Sequence, residues 1–132
     1  MKYMLLIYLD EQSLTDDARE KCYRESTQLA HDLHASKNFL AAAPLHSVST
    51  ATSVQIREGK RIVIDGPFAE TREQLGGYFL IEAPDLDEAI RIAARIPNAH
   101  TGTIEVRPVV EIPGLPVSEP LPELQAKVRA PA

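Results

Sequence analysis

The chain has 132 residues, 44% of them hydrophobic and 25% charged, and carries 14 Lys+Arg against 19 Asp+Glu for a net charge of −5. That composition suits one soluble domain large enough to bury a core. The acidic balance excludes a basic nucleic-acid footprint, and aromatic content of 5% without Trp excludes a broad base-stacking platform.

Tyr3 to Leu9 is a nearly continuous apolar run and reads as a buried strand. It is too short for a signal-peptide core, and no stretch approaches a membrane span, so a cytoplasmic protein without membrane attachment is expected. The single cysteine, Cys22, excludes an internal disulfide and reads as a small buried hydrophobe. Thr15 is placed as an N-cap with Asp16 and Asp17 in the first turn of a helix over about 16–36. Ala18, Cys22, Leu29 and Leu33 form its inward stripe, and His31 and His34 fall on the solvated side.

Phe39 to Leu45 predicts a second strand. Thr50–Arg57 and Lys60–Asp65 predict a hairpin, with a three-residue Arg57-Glu58-Gly59 loop that sets Val54, Ile56, Ile62 and Ile64 on one face. A two-residue loop would set Ile56 beside Arg61 and split that set, so the longer loop is preferred. Tyr78 to Ala83 is the next strand and Pro84 breaks it. Asp85 and Glu88 open a helix over about 86–96 whose inward stripe is Leu86, Ile90 and Ala93, and Pro97-Asn98 ends it. Thr103 to Val110 is the last strand, with Pro108 marking an edge or a bulge. Residues 113–132 hold five of the ten prolines and read as a tail beyond a domain of residues 1–112.

Without the hairpin the order is βαββαβ, the ferredoxin-like unit of an α+β fold, with both helices on one face of an antiparallel sheet. The other face would be bare and apolar, which predicts a homodimer packed sheet to sheet as a dimeric α+β barrel.

Asp65 to Tyr78 stacks Gly66-Pro67, Gly76-Gly77 and the carboxylates of Asp65, Glu70 and Glu73 between two strands. Phe68 is expected to plug the core, and Glu70 to Gln74 to form one helical turn that brings Glu70 and Glu73 to one side. Neighbouring carboxylates can raise one another's pKa and supply a general base. His46, at the end of the second strand, is a second candidate base near neutral pH. The candidate catalytic residues are therefore His46, Asp65 and Glu70. Glu73 and Tyr78 are candidate substrate contacts. No metal-ligand spacing is present and no cofactor is expected; the expected partner is a small molecule.

The run Asp65-Gly66-Pro67-Phe68-Ala69-Glu70 through Gln74-Leu75-Gly76-Gly77-Tyr78-Phe79 resembles the signature of the DGPF-domain, YCII-related proteins. Met1 to Leu6, Ala43 to His46, Thr50 to Val54, Asp87 to Ala89 and Ile104 to Pro108 extend the resemblance over about residues 1–112. The resemblance implies a ferredoxin-like chain dimerised as an α+β barrel, a pocket near the motif, and no common assigned activity. Some relatives in the YCII branch are held to use a His–Asp pair with the His on the first helix. That position falls near Ser26 here, so His46 with Asp65 is the substitute pair. Relatives are often encoded near extracytoplasmic-function sigma factors, which suggests an alternative: a non-enzymatic regulatory or interaction module.

Overall fold

The computed structural model describes residues 1–116, and most of the proline-rich tail lies outside the described residues. β1 (Lys2–Leu9) alternates strictly: Tyr3, Leu5 and Ile7 are buried, while Met4, Leu6 and Tyr8 point to the other face and are half-buried. α1 (Asp16–Ala35) starts where the Thr15 hydroxyl accepts the Ala18 N–H at 3.1 Å. β2 (Phe39–Pro44) follows, then the hairpin of β3 (Thr52–Arg57) and β4 (Lys60–Asp65), then β5 (Gln74–Glu82). α2 (Leu86–Ala94) is capped by the Asp85 carboxylate on the Glu88 N–H at 2.9 Å, and β6 (Thr103–Pro108) closes the domain.

The four-stranded sheet has the order β2-β5-β1-β6 with every neighbouring pair antiparallel, which is the ferredoxin-like order. β3 and β4 form a separate two-stranded ribbon that hydrogen-bonds to no other described strand. Leu29 and Leu33 of α1, and Ala89, Ile92 and Ala93 of α2 with Ile96 beyond it, join Tyr3, Leu5, Ile7, Phe79 and Ile81 in one core. Both helices thus cover the same sheet face. On the opposite face Met4 and Ala41 flank Leu80, and Leu6 lies beside Tyr78. Pro108 costs the sheet nothing because β6 is an edge strand.

Five local expectations give way to tertiary geometry. The hairpin loop has two residues, Glu58 and Gly59, at φ 52° and 75°, so Arg57 pairs with Lys60 and Ile56 with Arg61. Two positive-φ residues match the right-handed twist of a ribbon, and no buried face overrules that preference: Val54, Ile56 and Val63 are all exposed. β5 begins at Gln74, four residues before Tyr78, and takes in both glycines. Residues 70–73 make no helical turn: the chain bends at Arg72 and Glu73, and the Gln74 side chain donates to the Thr71 carbonyl as β5 begins. Phe68 is 83% exposed instead of filling the core. On α2 the inward stripe is Ala89, Ile92, Ala93 and Ile96; the two alanines let the helix approach the sheet closely, and Leu86 and Ile90 face out.

Replacing fully buried Leu33 by alanine should cost about 2–5 kcal/mol by urea denaturation. Phe68→Ala should stay within about 0.5 kcal/mol, since that ring buries little.

Candidate functional site

A cavity of about 1110 Å³ lies between α1, the ends of β2 and β5 that meet at Pro44 and Gly77, and the loops that carry His46 and Asp65. Its walls follow from local chemistry. Pro44 ends β2, yet the Leu45 N–H still reaches the Gly76 carbonyl at 2.9 Å. The next residues wind into a 3-10 turn, Val48–Thr50, capped by Ser47. Glu11 clamps that turn from the β1–α1 connection: its carboxylate accepts the Ser47 hydroxyl at 2.9 Å and the Val48 N–H at 3.1 Å. His46 is thereby held at the rim between two anchored points.

Asp65 is held as firmly. It ends β4, opposite Thr52 at the base of the ribbon. The Gly66 N–H donates to the Ala51 carbonyl at 2.8 Å, and the Gly66 carbonyl accepts the Ser53 hydroxyl at 2.8 Å. Gly66 sits at φ 130°, where a side chain would be strained. Gly77 answers to a different constraint, since a Cβ there would lie 2.9 Å from the Ala43 carbonyl oxygen.

His46, Asp65, Glu70 and Tyr78 line this one cavity. The first three are exposed at its mouth and Tyr78 is half-buried. Glu73 is not on the cavity wall; its carboxylate accepts the Thr103 hydroxyl at 2.8 Å and ties the segment to the start of β6. The bend at Arg72 and Glu73 therefore separates Glu70 from Glu73. Among the described residues, no three His, Cys, Asp or Glu side chains group to hold a metal ion, and no helix is long and apolar enough to cross a membrane.

Residues 1–113 match the YCII-related domain. The chain belongs to the YCII-related family. An uncharacterised protein of Rhizobium meliloti (strain 1021) is 37% identical to it, over 83% of this chain and 92% of that protein. Among solved structures, 5-chloro-2-hydroxyhydroquinone dehydrochlorinase from Burkholderia phenoliruptrix AC1100, in complex with 2,5-dihydroxybenzoquinone, superposes with a TM-score of 0.52 at 14% identity. That match covers 83% of this chain and 94% of the other, and at such low identity it speaks to the fold alone.

In this YCII-related chain the site also recruits residues that motif reading passed over. The α1 wall is built from Arg19, Cys22, Ser26, Ala30 and His31 among others, a stripe at helical spacing on the flank of the Leu29–Leu33 stripe. His31 is exposed, as its wheel position requires, but the space it faces is the cavity mouth. Its place four residues after Thr27 on that flank was the available signal. Glu11 and Asn98 come from other parts of the chain and carry no local signature.

Cys22 lines the cavity as a half-buried thiol. Burial pushes its pKa above the usual 9.0, and Glu25 adds to this, while Lys21 and the Asn98 hydrogen bond oppose it more weakly. The raised value means that folding favours the protonated thiol. Its stabilising contribution is present below pH 9.0 and is lost as pH rises through the folded-state value. Only the thiolate attacks electrophiles, so alkylation of Cys22 by iodoacetamide should rise with a midpoint above pH 9.0. A midpoint at or below that value would contradict the burial account.

Proposed function

We propose that this protein binds a small polar ring compound in the cavity between α1 and the Asp65–Tyr78 segment, with His46 or Asp65 acting as a base on it. The observation that carries this reading is the convergence of His46, Asp65 and Glu70 on one cavity although the loop after β2, the end of β4 and the loop before β5 supply them. A volume of about 1110 Å³ is ample for a small ligand, and the wall sets polar side chains such as His46, Asp65 and Asn98 beside apolar ones such as Ile7, Leu9 and Phe79. Glu70 adds negative charge at the mouth. An imidazole and a carboxylate are the side chains suited to proton removal near neutral pH.

The dihydroxylated ring held by the fold neighbour serves as a probe. Titration calorimetry with 2,5-dihydroxybenzoquinone should detect binding to the wild-type protein. His46→Ala and Asp65→Asn should each weaken it about tenfold or more, equivalent to about 1.4 kcal/mol. Phe68→Ala should leave it unchanged. Variants that bind as tightly as wild type, or a wild-type protein that takes up neither this compound nor catechol, would count against the reading.

The protein is proposed to act as a homodimer. Among the described residues no helix covers the sheet face bearing Met4, Leu6 and Leu80, and the ribbon exposes Val54, Ile56 and Val63 at 61%, 59% and 58%. Apolar area of this kind favours a partner surface. The same ribbon is what favours the second reading, a non-enzymatic interaction module, and failure of the binding measurement alone would favour it. Light scattering at micromolar concentration should give twice the chain mass, and Leu6→Lys should shift the protein towards monomer. A wild-type monomer would remove the dimer.

A further inference from the structure

Four residues on the cavity wall are buried: Ile7, Gly77, Phe79 and Asn98. They mark its closed end, just as exposed His46, Asp65 and Glu70 mark its mouth. Three of the four are apolar or lack a side chain. Asn98 is 6% exposed and is the one buried polar residue of the described chain.

Its carbonyl is doubly engaged. The Asn98 carbonyl accepts the Gly102 N–H at 2.7 Å and the Thr101 N–H at 3.3 Å, and Gly102 packs against the Tyr8 carbonyl with no room for a Cβ. The loop is therefore rigid and the Asn98 amide is presented from a fixed point. The amide itself is under-used. Nδ2 donates to the Cys22 sulfur at 3.8 Å, a weak acceptor, and among the described residues Oδ1 accepts no hydrogen bond. Among the described residues no buried side-chain oxygen or nitrogen sealed from solvent lacks a partner, so Oδ1 is not sealed, and Asn98 lines the cavity. Turning the amide over would exchange the two ends and again leave one for a ligand.

We propose that Asn98 is a specificity-determining residue at the closed end of the cavity, where it reads a hydroxyl group on a small neutral ring. The inference rests on the cavity being a binding site, and it adds which chemistry that site selects. A hydroxyl both donates and accepts, so it satisfies the free end of the amide in either orientation. Ile7, Phe79 and Ala30 supply apolar contact for the ring. A ring without the hydroxyl strands a desolvated amide, and a carboxylate would lose its water with no cation among the buried residues there.

Phenol and toluene, which differ by a hydroxyl against a methyl, are the probes. Ligand-observed NMR titration of the wild-type protein should show phenol binding about tenfold more tightly, the value of one neutral hydrogen bond. The Asn98 side-chain amide resonances should move with phenol and stay put with toluene. Asn98→Leu should bring the preference close to unity while toluene still binds. Should that variant fail to fold, the amide shifts in the wild-type protein carry the test. Equal binding of the two probes, or phenol binding that leaves the Asn98 amide unmoved, overturns the role of Asn98 while the cavity reading stands. If neither probe binds, both readings fall.

Discussion

β5 runs between β1 and β2, and it can do so only because position 77 has no side chain. A Cβ there would press on the Ala43 carbonyl oxygen at 2.9 Å. Beside it, the β1–β5 register slips by one residue: Ile7 pairs with Gly77 but Tyr8 with Leu75, leaving Gly76 as a bulge. This close passage sets where the sheet ends on that side. It also fixes where the chain entering from the ribbon must arrive, and so puts the Asp65–Tyr78 segment against α1 with a cavity between them.

The cavity is assembled by hydrogen bonds between loops rather than by core packing. Glu11 reaches from the first connection to the turn after His46, and Ser53 and Ala51 hold the peptide groups of Gly66. These bonds join segments far apart in sequence. The ion pairs, by contrast, are exposed: Arg19 with Asp16, Arg91 with Glu88 and Arg72 with Asp10 all keep at least one largely solvated partner. Exposed pairs contribute little, so they do not explain the arrangement of the site. The result is a polar mouth of side chains from two loops and a helix flank, leading to an apolar interior interrupted by Asn98 and Cys22.

Much of this was legible from residues alone. Thr15 and Asp85 cap the helices that they were expected to cap, because an N-cap bond spans only three residues and depends on little else. β1 declared itself by its apolar run, and the strand order followed from counting elements. What misled was local preference where burial was assumed. Val54, Ile56, Ile62 and Ile64 look in the sequence like one buried face, which favours the register that keeps them together. Among the described residues no core lies beneath the ribbon, so the two-residue turn decides the register. Phe68 reads in the sequence as a core plug, yet it lies exposed. Of the stripe expected on α2, Ala93 is buried, whereas Leu86 and Ile90 are exposed and Ala89 and Ile92 take the inward positions.

The sequence by itself determined the elements, their order and the ferredoxin-like class, and it singled out His46, Asp65, Glu70 and Tyr78. Those features rest on periodicity, caps and turn residues, which act over a few positions. Which candidates meet was decided only in three dimensions. Glu70 and Glu73 are three residues apart, yet one faces the cavity and the other bonds to Thr103. Glu11, His31 and Asn98 enter the site from three further segments. Their roles come from side chains brought together by the sheet's central strands, and no pattern along the chain encodes a contact of that range.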